Sequence, residues 1–135
     1  MLELLRSVPL FEGLSKRELR TILHAAREME FPPGQTIVQE GLRGADFYLI
    51  INGRAAVRPP GKRTKILGPG DYFGELSVID GQPRSATVTA ETRVFAFRLN
   101  RSGFFAVLER NPEIAVKVLV EVCGRLRSAQ PSPTH

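Results

Sequence analysis

The residues best placed to do chemistry fall within one stretch that contains Phe73-Gly74-Glu75-Leu76-Ser77 and Pro83-Arg84-Ser85-Ala86-Thr87-Val88. Gly74 precedes a short apolar helical turn, and the first backbone N–H groups of a helix have no partner within it. Hydrogen bonding and partial positive charge both suit such a start to a phosphate. Nine residues after Glu75 comes Arg84, followed by two small residues, Ser85 and Ala86, which allow close approach. An arginine offers a planar fork to the two free oxygens of a phosphate diester. Glu75 only accepts when ionised, so it suits a pair of hydroxyls, or one hydroxyl and a cation. Taken singly, Gly74-Glu75 reads as a turn with a surface acid, and Arg84 as a surface ion pair worth little. Taken together, an anion cradle, an arginine and a hydroxyl acceptor fit a ribose cyclic phosphate.

The elements that must position this stretch are helices at the two ends and strands between them. Ser15-Lys16-Arg17-Glu18 is a capping box. Leu19, Ile22, Leu23 and Ala26 follow it at helical spacing, which predicts an amphipathic helix over 15–28. Pro32-Pro33-Gly34 opens a turn. From Thr36 to Leu99 the pattern changes to short β runs. Phe47-Tyr48-Leu49-Ile50-Ile51 leads through Asn52-Gly53 to Arg54-Ala55-Ala56-Val57, which predicts a hairpin. Gly61 and Gly68-Pro69-Gly70 mark turns, and Thr87-Val88-Thr89 and Val94-Phe95-Ala96-Phe97 read as two more strands. Many short strands with regular turn signals predict an antiparallel barrel or roll. Tyr48, Phe73, Phe95 and Phe97 are read as core. Asn100 caps a further helix carrying Phe104, Phe105, Val107 and Leu108. Asn111-Pro112-Glu113 starts the last one, with Pro at its first position and an acid in its first turn. Ile114, Ala115, Val118, Leu119, Val122 and Leu126 form its wide apolar stripe, and Pro131 and Pro133 end it. Cys123 reads as a small core or interface residue.

Composition narrows the function classes. The 135 residues suit a single domain, and 42% hydrophobic content is that of a soluble globular chain. No apolar run approaches the roughly 18–20 residues of a membrane span, and Met1-Leu2-Glu3-Leu4-Leu5-Arg6 does not read as a signal peptide. A single cysteine allows no internal disulfide, which fits a reducing, cytoplasmic setting. The formal charge of +5 comes from scattered basic residues. The densest groups, Lys62, Arg63 and Lys65, and Arg125 and Arg127, are short, so the surface reads as mixed charge and not as a nucleic-acid face. Enzyme readings fare poorly, because the histidines are His24 and His135 alone and no metal-ligand set converges. No serine or cysteine comes with a plausible base.

The stretches Phe73-Gly74-Glu75-Leu76-Ser77 and Pro83-Arg84-Ser85-Ala86-Thr87-Val88 resemble the phosphate-binding cassette of cyclic-nucleotide-binding domains, of the catabolite activator protein and cAMP-dependent kinase regulatory subunit type. Gly41, Gly44, Tyr48 and Gly53 fall where that family's β-roll places turns and strands, and Pro9-Leu10-Phe11-Glu12-Gly13-Leu14-Ser15 resembles its helical lead-in. The resemblance implies a mainly β fold, an antiparallel, jelly-roll-like β-roll with an N-terminal helix and C-terminal helices. It divides one domain into a lead-in over 1–30, a roll over 31–100 with its cassette at 73–88, helices over 101–128 and a tail over 129–135. It further implies that Arg84 binds the cyclic phosphate and Glu75 the ribose 2′-hydroxyl. Gly74, Leu76, Ser77, Ser85 and Ala86 complete the ligand-binding set, and Val122, Leu126 or a nearby residue of the last helix covers the base. With serine at 85 the expected ligand is cAMP, with cGMP as the alternative. No cofactor, metal or catalytic residue is expected. The expected partners are the cyclic nucleotide and, through the C-terminal helix, a second subunit or an effector.

Two departures from the family pattern bear on this. The family often has an acid directly after the glycine that aligns with Gly41, where it helps to hold the arginine. This chain has Leu42, which leaves Glu40 and Asp46 as resting partners for Arg84. Transcription factors of the family also continue into a helix-turn-helix that is not visible in this sequence. Two alternatives to a cAMP-sensing regulatory domain therefore stand: the sensor half of a longer DNA-binding regulator, and a degenerate roll that serves as a protein-interaction module.

Overall fold

A computed structural model of the chain describes residues 2–129, so the expected helix stop at Pro131 and Pro133, and the tail beyond Ala129, lie outside the described residues. In chain order the elements are α1 (Leu2–Arg6), a 3-10 turn (Pro9–Phe11), α2 (Lys16–Ala25), β1 (Arg27–Phe31), β2 (Thr36–Val38), β3 (Asp46–Asn52), β4 (Ala55–Arg58), β5 (Lys65–Leu67), β6 (Tyr72–Phe73), α3 (Glu75–Asp80), β7 (Thr87–Ala90), β8 (Val94–Asn100), α4 (Arg101–Arg110) and α5 (Pro112–Ala129).

The capping box forms as its sequence dictates. The Glu18 N–H donates to Ser15 Oγ at 3.2 Å, and the Ser15 N–H donates to Glu18 Oε1 at 2.9 Å. The helix it starts ends at Ala25, three residues before the expected boundary at 28. The reason lies in Arg27-Glu28-Met29-Glu30-Phe31, whose period is 2. As a strand it pairs all five residues with Val94–Arg98 of β8 and turns Met29 and Phe31 to the core between the sheets.

The strands form two antiparallel sheets, ordered β1-β8-β3-β6 and β2-β7-β4-β5. Phe31, Tyr48, Ile50, Leu67, Val88 and Val94 are among the residues packed between them. The roll is therefore as expected, but the Asn52-Gly53 hairpin is not. β3 lies in one sheet and β4 in the other. Both edges of β3 are taken, by β8 and β6, so β4 has no edge to pair with and the dipeptide turns a corner between layers. Gly53 makes that corner at φ 92°, and a Cβ there would lie 2.1 Å from the Arg93 carbonyl oxygen. The second corner, from β7 to β8, packs beside the first. Its Thr92 hydroxyl accepts the Arg54 N–H at 2.9 Å, and its Glu91 N–H donates to the Arg54 carbonyl at 2.9 Å.

The outer face of the first sheet carries the helices. Phe47, Leu49, Phe97 and Leu99 pack there against Leu5, Leu19, Ile22, Phe104, Val107 and Ile114, with the Phe47 and Phe104 rings 4.7 Å apart. Phe95 points to the same side beyond the reach of the helices and is 41% exposed, so it is not a core residue. Asn100 caps α4 through its side chain, which accepts the Gly103 N–H at 2.8 Å.

The last helix is two-faced. Ile114 and Val118 are buried and Val122 packs beside them, but Val116, Leu119, Val120 and Leu126 are 58–67% exposed, and Cys123 is exposed too. Leu119 and Leu126 thus belong to a second apolar face and not to the core-facing stripe. The helix is clasped to the lead-in by Lys117, whose Nζ donates to the carbonyls of Pro9 at 3.0 Å and Glu12 at 3.3 Å. Among the described residues no helix is long and apolar enough to cross a membrane.

Because Lys117 is only half-buried, its clasp adds little to global stability and much to local order. Lys117→Met is expected to lower unfolding free energy in urea by about 1 kcal/mol. The same variant should speed hydrogen exchange at residues 9–12 and in the first half of α5. Unchanged exchange at both places would show that the clasp holds nothing.

Candidate functional site

The chemistry-bearing stretch is folded so that its two halves meet. β6 runs into Gly74, which adopts φ 93° and starts α3 without a side-chain cap. α3 ends at Gly81, whose N–H donates to the Ser77 carbonyl at 2.9 Å, and the Gln82 N–H then donates to Asp80 Oδ1 at 2.9 Å. The chain is thereby turned back toward Gly74. Arg84 is pinned by its own main chain on both sides. Its N–H donates to the Leu42 carbonyl at 3.0 Å, and its carbonyl accepts the Gly41 N–H at 2.9 Å.

The Arg84 side chain then runs inward and is 7% exposed. Nη2 donates to the Asp46 carbonyl at 3.0 Å and Nη1 to the Gly74 carbonyl at 3.4 Å. This settles the choice opened by Leu42: Asp46 holds the arginine, and it does so through its main chain. Glu40 stays exposed, and its N–H donates to Thr87 Oγ1 at 3.1 Å. Burial pulls the Arg84 pKa below its ordinary value, while the neighbouring Tyr48, Asp46 and Glu75 act the other way. Burial also raises the Tyr48 phenol, reinforced by Asp46 and opposed by Arg98 and Arg84, so the ring stays neutral near pH 7. Glu75 is completely buried, and its charge is felt at Arg84.

Gly74, Glu75, Ser77, Arg84, Ser85 and Ala86 all line one cleft, which encloses about 380 Å³ with its open mouth included. Leu76 stands between Glu75 and Ser77 in α3. The rest of the lining was not legible in the sequence. It consists of Val38, Val57 and Val88 with Phe73, which also packs in the core between the sheets. Val88 pairs with Val38 on one side and Val57 on the other, so three strands contribute one row of valines. Alternating β-branched residues were the only hint of this wall, and alternation does not say which strands lie side by side. The cleft therefore combines a buried cation and a buried acceptor with an apolar surface. Val122 packs in the helical core and Leu126 is exposed, and neither lines the cleft. Among the described residues, no group of three or more His, Cys, Asp or Glu could hold a metal ion.

Comparison with known proteins agrees with this geometry. A family profile described as "Cyclic nucleotide-binding domain" matches residues 28–111. The chain is 33% identical over 130 residues to a CRP-like cAMP-activated global transcriptional regulator of Mycobacterium tuberculosis, a match that covers 93% of this chain and 58% of that protein. Its fold resembles that of the Thermus thermophilus catabolite activator protein, with a TM-score of 0.79 and 32% identity, covering 90% of this chain and 59% of the other. It also resembles the regulatory domain of Toxoplasma gondii PKA solved with cAMP, with a TM-score of 0.77 and 29% identity, covering 92% and 48%. The chain spans about a third to three fifths of the length of the first curated relatives it matches.

Gly74 yields a test of how the cleft is built. Serine at a helix N-cap ordinarily stabilises relative to residues that cannot cap. Here a Cβ would lie 2.5 Å from the Asp46 carbonyl oxygen, on a backbone at φ 93°. Gly74→Ser is accordingly expected to destabilise the protein by about 2–4 kcal/mol, measured by urea unfolding. A neutral or stabilising effect would mean that the β6–α3 junction does not hold this geometry.

Proposed function

This chain belongs to the family of cyclic nucleotide-binding domains, and we propose that it is a regulatory sensor of cAMP with no catalytic activity of its own. The observation that carries the proposal is that Arg84 and Glu75, both buried, line the same small cleft. In this reading the unused N–H donors of Arg84 take the cyclic phosphate oxygens, as a planar fork matches them. The Glu75 carboxylate accepts the ribose 2′-hydroxyl, and the valine row with Phe73 covers the apolar faces of sugar and base. Ser85, exposed beside Arg84, adds a hydroxyl for the phosphate or the purine, and serine at this position favours cAMP over cGMP. A cytoplasmic setting belongs to the same proposal, since an exposed lone thiol such as Cys123 persists best in a reducing compartment.

Output is assigned to α5. Its exposed face of Val116, Leu119, Val120 and Leu126 is a second docking surface, for a second subunit or an effector. A ligand moves such a helix only by binding one arrangement more tightly than another. A second reading, the sensor part of a longer transcription regulator, is supported by the coverage of the Mycobacterium tuberculosis relative, 93% of this chain against 58% of that protein.

Calorimetric titration with cAMP, cGMP and 5′-AMP tests the binding reading. Saturable binding is expected for cAMP, weaker binding for cGMP and none for 5′-AMP, and pure protein should leave cAMP unhydrolysed. Arg84→Ala should cost about 2–5 kcal/mol of binding, roughly 30-fold to several-thousand-fold in affinity. Binding of cAMP by Arg84→Ala as tight as the original chain's would refute the assignment.

The output reading is tested separately by hydrogen exchange with and without cAMP. Protection should change over 74–86 and also over 112–128. A change confined to 74–86 would make α5 a fixed element.

A further inference from the structure

Gly44 lies in the loop between β2 and β3, where the sequence reads it as one more turn glycine. Its backbone does not require glycine, for its φ lies outside the left-handed region that Gly74 occupies. What sets it apart is its surroundings. A Cβ at Gly44 would lie 2.8 Å from Arg84 Nε, 2.8 Å from Nη2 and 3.1 Å from Cζ, and these are its three nearest atoms. The Nε–Nη2 edge of the guanidinium thus faces the bare α-carbon of Gly44. On its other side a Cβ at Gly74 would come within 2.8 Å of Nη1. We propose that Gly44 is a positioning residue for Arg84: the missing side chain leaves the Nε–Nη2 edge of the guanidinium uncovered and so sets where its free donors point.

The argument is one of space and direction. Two carbonyls, of Asp46 and Gly74, fix the guanidinium in its plane, at 3.0 and 3.4 Å. Gly44 borders the Nε–Nη2 edge, because a point 2.8 Å from both nitrogens and 3.1 Å from Cζ lies in front of that edge and not over the face. A carbon in van der Waals contact sits near 3.5 Å and resists closer approach. A methyl group in that place would push the guanidinium back by about half an ångström or more. The methyl would cover the Nε–Nη2 edge, and the fork would be displaced toward Gly74. Because the three nearest atoms all belong to the end of one long side chain, the fold itself is expected to accommodate the methyl. The substitution is expected to separate binding from stability.

This inference rests on the cAMP reading above, and the experiment keeps the two apart. Three single variants are compared with the original chain: Gly44→Ala, Arg84→Lys, and Gly68→Ala as a control. A Cβ at Gly68 would meet nothing within 4 Å, and that backbone is not left-handed either. In ligand-free protein, the Arg84 Nε–H resonance, identified by its absence in Arg84→Lys, should shift in Gly44→Ala and stay in place in Gly68→Ala. Melting temperatures of Gly44→Ala and Gly68→Ala should match the original. Affinity for cAMP, measured to millimolar ligand, should fall about 10–100-fold in Gly44→Ala, the range of one charge-assisted hydrogen bond. It should be unchanged in Gly68→Ala. In an Arg84→Lys background, which has no planar fork to displace, adding Gly44→Ala should cost little more.

The proposal is overturned if the Arg84 resonance does not move in Gly44→Ala. It is equally overturned if Gly44→Ala binds as tightly as the original, if its loss persists in full beside Arg84→Lys, or if its melting temperature falls in step with affinity. Should the original chain bind no cyclic nucleotide, the ligand reading fails, and the resonance alone then decides whether Gly44 positions Arg84.

Discussion

Burying a guanidinium is costly, because the charge leaves water and every donor that is not satisfied adds to the penalty. The site accepts that cost at Arg84, and much of the surrounding structure follows from it. The carbonyl acceptors come from two unrelated places, the start of β3 at Asp46 and the β6–α3 junction at Gly74. The main chain of Arg84 is tied to a third, the loop at Gly41 and Leu42. None of these can shift without changing the arginine's environment. Carbonyl oxygens also differ from a carboxylate: they orient the guanidinium without adding a full negative charge to those of Asp46 and Glu75 nearby. With Leu42 directly after Gly41, the arginine is oriented by the main chain.

How much of this was legible in the sequence depended on the range of the interaction concerned. The Ser15–Glu18 box, the Asn100 cap and the α3 turn are fixed by neighbours three or four residues apart, and each appears where the residues put it. The cassette was legible for a related reason, since Glu75 and Arg84 are joined by one short helix and one turn. Strand partners were another matter. Asn52-Gly53 promised a hairpin by its local chemistry, yet β8, some forty residues away, already claims the edge that β4 would need. The valine wall was hidden for the same reason, as it exists only when β2, β7 and β4 lie side by side. The early end of α2 shows a nearer competition, in which a five-residue ladder with β8 outweighs one more turn of helix. Phe95 misled because an aromatic in a strand reads as core, and only the placement of the helices decides how far the cover extends.

The helices divide their labour. α4 lays Phe104 onto Phe47 and closes the outer core, whereas α5 buries one side and leaves the other bare. Its polar tie to the lead-in, Lys117 on the carbonyls of Pro9 and Glu12, is half-exposed. The structure thus joins a sheet sandwich to a helix that is anchored by Ile114 and Val118 and carries a second, exposed apolar face.

β3 is the one strand on which all of these demands fall together. Asp46 offers its carbonyl to Arg84, Phe47 and Leu49 face the helices, and Tyr48 and Ile50 face the second sheet. Side chains alternate strictly along a strand, so the deletion or insertion of one residue here would exchange the two cores and draw the carbonyl away from the arginine at a stroke. The loop at 59–64 between β4 and β5, by contrast, could grow or shrink with little effect. Length variation among natural or engineered versions of this chain should therefore crowd into that loop and leave residues 46–50 untouched, a pattern of gaps dictated by geometry before any selection on function.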